Sequence, residues 1–178
     1  MNLSVNSCAI APEVITEETE VITTEEEIAE EITEETTEEE TTETDIEKYV
    51  SESILISSSL RNSLEKSSKA GSDLLKGKIS IQQQKEIYKE HIEEVKFYYD
   101  MFLEIIPPKR FEKSHYLAGK AYEHFFKYAM FLQSYVDTDD IEKMARYLEK
   151  ATDEMSLYIE YIDRATEQIE NEISKIEN

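Results

Sequence analysis

Three histidines, His91, His115 and His124, are the side chains of this sequence best suited to chemistry near neutral pH. Glu112 stands three residues before His115. That E-x-x-H spacing sets two ligands on one helical face. Used twice, with further carboxylates, it holds paired metal ions inside a helical bundle. The second copy is missing here, because the residue three before His91 is Tyr88 and the one three before His124 is Ala121. The adjacent pairs Glu90-His91 and Glu123-His124 cannot converge either, since neighbouring helical residues point about 100° apart. The sequence therefore predicts no metal site and no cofactor, and it gives His115 a hydrogen-bonded or interfacial role near Pro107-Pro108. Gly-rich phosphate loops, a nucleophile elbow and Cys/His clusters are absent. Glu93-Glu94 reads as a solvated helix face, because acid–base work needs a cleft that shifts a pKa. No catalytic residue is predicted.

The elements that would position these side chains are helices. Apolar residues recur at three, four and seven along four segments, and three Gly and three Pro suit long helices better than strands and turns. The first helix is expected over about 45–76, with Ile46, Tyr49, Val50, Ile56, Leu60, Leu64 and Leu74 on its stripe and Gly77 ending it. It is rich in Ser, several of them on the stripe, so its propensity is modest while a neighbour can approach closely. The second, about 80–106, carries Ile81, Tyr88, Ile92, Val95, Tyr99, Phe102 and Ile106, with Ser80 as N-cap and Pro107-Pro108 as stop. The third, about 109–136, carries Phe111, His115, Ala118, Tyr122, Phe125, Ala129, Leu132 and Val136. The fourth, about 139–176, has the clearest stripe: Met144, Leu148, Ala151, Met155, Tyr158, Ile162, Ala165, Ile169 and Ile176. Asp139 with Glu142 has the form of a capping box there, with Thr138 as the other candidate cap. Connections of a few residues turn each helix back on the last, which predicts an all-α, antiparallel up-down four-helix bundle. A three-helix bundle with the first segment loosely attached is the alternative. Aromatic residues are dense on the middle helices, and Tyr98 with Tyr99, or Phe125 with Phe126, cannot share one core line. Some rings must reach a helix boundary or the surface, where they suit a partner.

Charge divides the 178 residues in two. Residues 1–45 hold 15 Glu and one Asp with no Lys or Arg, a charge of about −16 of the total −22, while all 17 aromatic residues begin at Tyr49. A stretch so charged and so poor in apolar surface cannot offset the entropy of ordering it, so residues 1–44 are expected to be a disordered acidic tail or linker. A single helical turn around Glu25–Ile32 is the one local exception. The bases of residues 45–178 are scattered among acids, which argues against a nucleic-acid partner. No apolar run reaches the roughly 18 residues a membrane span needs, and Met1–Ser7 lacks the basic start and apolar length of a signal peptide.

Val5-Asn6-Ser7-Cys8 loosely resembles a lipobox, with Asn6 an unusual occupant and no apolar region before it. Cys8 is thus a possible lipidation site if the gene extends upstream, and an incidental residue otherwise. The order of Cys8, a Thr/Glu spacer and a small domain resembles surface lipoproteins of methanogenic archaea and some bacteria. Thr37, Thr41 and Thr42 would suit a glycosylated stalk. Pro107 to Arg164 is similar to helical domains carried by such proteins, with Pro107, Pro108, Phe111 and His115 opening it and the acidic turn Asp137–Asp140 following. That resemblance implies a cell-surface place and no defined chemistry. The expected function is a non-enzymatic, envelope-associated domain that binds or supports, with membrane contact only through Cys8. A cytosolic module whose acidic tail engages a basic protein is the rival. Protein incubated with iron(II) or zinc and then desalted is expected to keep well under one metal per chain. Stoichiometric metal that disappears in His115→Ala would overturn that expectation.

Overall fold

The computed structural model describes residues 42–176, and within them the chain forms four α-helices and one 3-10 turn. Helix α1 spans Glu43–Leu75, α2 Ile81–Leu103, α3 Glu112–Asp137 and α4 Ile141–Ile176, with the 3-10 turn at Lys109–Phe111. They build the antiparallel four-helix bundle expected from the stripes. The acidic tract before Thr42, with Cys8, Thr37, Thr41 and the segment Glu25–Ile32, lies outside the described residues.

Local chemistry sets each boundary. A capping box opens α1, with Thr42 Oγ1 accepting from the Asp45 amide at 3.3 Å and Asp45 Oδ2 accepting from the Thr42 amide at 3.2 Å. Ser80 and Gln83 open α2 in the same way. Gly77 closes α1 at φ 67°, where its amide donates to the Leu74 carbonyl and that of Lys78 to Asp73, the paired bonds of a Schellman motif. The start of α4 is capped by Asp140 rather than Asp139 or Thr138, since Asp140 Oδ1 accepts from the amides of Glu142 and Lys143. Helix α2 stops at Leu103, short of the expected Ile106. The ring of Pro107 would collide with the carbonyl of Leu103 if the helix ran through it, and a proline disfavours helical backbone at the residue before it, so Ile106 is kept out of the helix. Residues 109–111 form a 3-10 turn, closed by the Phe111 amide on the Pro108 carbonyl at 2.7 Å, and α3 proper begins at Glu112.

Successive helices pack on one another, α3 with α4 most extensively. On α1 the buried line runs Tyr49, Ile56, Leu60, Ser63, Ser67 and Ala70, at spacings of three, four and seven. The first helix is therefore a full member of the bundle. The central core joins Ile56 and Leu60 to Val95 and Phe102 of α2 and Tyr122, Phe125 and Ala129 of α3, and Met155, Tyr158 and Ile162 of α4 close over it. The helix α4 meets α1 through such long side chains, with Tyr158 near Arg61, while the two backbones stay apart.

That arrangement corrects four expected core positions. Ile106 is 90% exposed because it lies beyond the helix end, and Ile81 is exposed in the first turn of α2. Val50 and Leu148 are exposed because they flank the α1–α4 side, where no backbone comes close enough to cover them. Ile56→Ala is expected to cost roughly 2–5 kcal/mol, and Leu148→Ala, at 42% exposure, under about 1 kcal/mol, both by urea unfolding. Equal losses would mean that α4 packs in another phase.

Candidate functional site

The three histidines go to three separate places. His91, on α2, is only 2% exposed. Its Nδ1 lies 2.7 Å from Ser63 Oγ of α1, and its ring stands perpendicular to Phe125 and Tyr128 of α3. Nε2 is buried with no hydrogen-bond partner. A protonated imidazole would carry a donor at both nitrogens, and burial among these rings drives the His91 pKa down to about 4. His91 is thus a neutral pin between α1, α2 and α3. Reasoning from sequence placed it only as a non-ligand. Its signal was position: it falls three residues after Tyr88 and four before Val95, on the buried stripe.

His124, on α3, binds Glu154 of α4 through Nδ1 at 2.7 Å and stacks on Tyr161 at 5.4 Å between ring centroids. Arg164 covers the same tyrosine ring at 5.2 Å. The pair ties α3 to α4.

His115 is the interfacial residue expected near the proline corner. Its ring stacks on Phe102 with centroids 4.2 Å apart and interplanar angle 19°, and Tyr49 of α1 lies 5.8 Å away. Nδ1 is buried without a partner, and burial lowers the pKa. Glu112 remains exposed on the first turn of α3. Among the described residues no group of three His, Cys, Asp or Glu side chains converges at metal-binding distance.

Beside His115 the proline corner opens a groove of about 510 Å³. Phe102, Leu103 and Ile106 form one wall, and His115, Tyr116 and Gly119 the other. At Gly119 a Cβ would rest in ordinary contact with the Phe102 ring, 3.7 Å away. Leu103, Ile106 and Tyr116 are all exposed, so the walls present large apolar side chains to solvent. Of the crowded rings of the middle helices Tyr99, Phe102 and Tyr116 line it, and its aliphatic wall includes Ile106, a residue expected in the core. A second groove, of about 480 Å³ between α1 and α2, is lined by charged and polar residues with Tyr98, and its Lys66 is paired with Glu94 at 2.8 Å. The possible lipidation site Cys8 is outside the described residues.

Neutral His91 gives the fold a pH dependence of definite sign. Its stabilising effect is complete above the unfolded-state pKa near 6.5 and is lost as the pH falls toward about 4. The full loss is about 3 kcal/mol. Urea unfolding at pH 7 and pH 4 should therefore show a smaller acid loss in His91→Gln than in the parent protein, and equal losses would remove His91 as the cause. No family model, curated protein or solved structure matches the chain.

Proposed function

We propose that the bundle is a non-enzymatic binding module that takes a protein partner at the proline-corner groove and is carried at the cell envelope behind its acidic tract. The observation that supports the binding role is the groove itself: Leu103, Ile106 and Tyr116 stand exposed around a concavity large enough for the anchor side chains of a partner. The histidines serve packing, His91 against Ser63, His115 against Phe102 and His124 with Glu154. The envelope setting rests on the order of Cys8, Thr/Glu spacer and domain. A cytosolic interaction module is the second reading, favoured by the charge of about −16 on residues 1–45.

Affinity capture from the source cells with the full chain, beside the double variant Ile106→Asp/Tyr116→Ser, tests the binding role. A partner held by the parent and lost by the variant, at unchanged thermal midpoint, is the expected result. Identical captures would remove the groove from the function. Protease treatment of intact cells tests the setting: the chain is expected to be cleaved, and protection until lysis would move it to the cytosol.

A further inference from the structure

His91 stands where α1, α2 and α3 meet, and the two sides of its ring are held unequally. Toward α3 it abuts Phe125 and Tyr128, and Phe125 is in turn backed by Tyr158 of α4 at 5.0 Å between centroids. Toward α1 it meets a single hydroxyl, Ser63 Oγ at 2.7 Å. The second half of α1 gives the core little. Past Leu64 its buried side chains are Ser67 and Ala70, and Ala70 is its one buried member in the cluster of Tyr88, Leu132, Val136 and Ala151. Covering side chains this small contributes much less than covering Ile56 and Leu60 in the first half. Ser63, Ser67, Ser68, Gly71 and Ser72 are weak helix formers as well. The backbone of α4 stays apart from α1, so α2 is the main support of residues 63–75. A charge on His91 has one short way to water. Nε2 is buried without a partner, and the α3 side is closed by rings. On the other side Ser63 neighbours Glu94, which with Lys66 lines the open groove between α1 and α2. Glu94 attracts an imidazolium and Lys66 repels it, while burial keeps Tyr128 neutral.

We infer that residues 63–75 form an acid-released flap: protonation of His91 frees them from α2 and melts their helix, while the first half of α1 and the other three helices stay folded. The hold of His91 is thus local. It acts first on this flap, at the end of α1 away from the Tyr49 contact with the proline corner. Closed, the ring titrates at about 4, whereas in the open form water restores the ordinary value near 6.5. The closing effect of the neutral ring is therefore complete above about pH 6.5 and is lost as the pH falls toward 4. Opening bares Tyr88, Leu132 and Val136, an apolar face that is covered at neutral pH.

Amide hydrogen exchange of the full chain, read residue by residue by NMR and corrected for intrinsic rates, tests this. Amides 67–75 are expected to lose protection about seven-fold between pH 6 and 5 and about a hundred-fold between pH 7 and 4, the ratios set by values of about 4 and 6.5. Carboxylates titrate mostly below about pH 5, so the first of these steps belongs to a histidine. At pH 4 the same amides should remain less protected than those of residues 121–129 in α3. Low urea should hardly change them, because a local opening exposes little surface. His91→Gln should remove the loss between pH 6 and 5. Equal protection and equal urea dependence in α1 and α3 would make the opening global and overturn the inference. So would protection that stays flat down to pH 5, or a loss that persists in His91→Gln. The pH course and the urea dependence both come from the parent chain, so they decide the matter even if the variant does not fold.

Discussion

Pro107 cannot donate a backbone hydrogen bond, and its ring excludes the carbonyl one helical turn earlier. That carbonyl belongs to Leu103, so no helix can continue through Pro107; α2 ends at Leu103, within the turn before it, and the next residues change direction. The turn that follows carries Phe111 onto Tyr49, where the rings stack at 5.5 Å, so the corner locks the start of α1 to the start of α3. One turn later His115 falls on Phe102, the last buried residue of α2. The same stop leaves Ile106 without a helix or a neighbour to cover it. Core and groove thus meet at one corner: Phe102 is buried against His115, while Leu103 and Ile106 on either side of the helix end stand exposed as a wall.

The first helix illustrates how packing outweighs propensity. A Ser-rich sequence is a mediocre helix in isolation, where serine competes with the backbone for hydrogen bonds. In the bundle Ser51, Ser57 and Ser67 each return a hydroxyl to the carbonyl three residues back, which removes that competition. Ser63, Ser67 and Ala70 are buried, and their small volume lets α2 lie close. At Gly71 a Cβ would already touch the Tyr88 hydroxyl at 3.4 Å, which shows how near α2 comes. The helix exists because α2 covers it. Its composition is what allows the covering.

Most of the fold was legible in the sequence because helix ends and stripes are local properties. Ser80 and Gly77 mark ends by their own hydrogen bonding and dihedral, and Phe111 through Val136 keep one phase along α3. What escaped is what depends on the neighbour. A stripe read from apolar and small residues passes over Gln84 and His91, although each lies at stripe spacing and is buried. Conversely Leu148 has the right spacing, but burial also needs an opposing helix, and α1 does not come near it. The groove was foreshadowed only as a surplus of rings. Its location follows from the end of α2 at Leu103, three residues before the Ile106 that the apolar period reaches. Cys8 belongs to the part of the sequence for which the structure offers no geometry.

An open apolar groove is a hazard for a small protein, since exposed Ile and Leu side chains favour self-association at about 25 cal/mol for each Å² covered. The total charge of −22 offsets that hazard by repulsion between copies. Repulsion of this kind does not distinguish one surface from another, so it acts at the exposed walls of Leu103, Ile106 and Tyr116 as it does elsewhere. A second copy meets the same charge and is held off. The acidic composition and the exposed apolar walls, opposed as solubility traits when taken singly, therefore balance: the charge keeps apart copies that the walls alone would draw together.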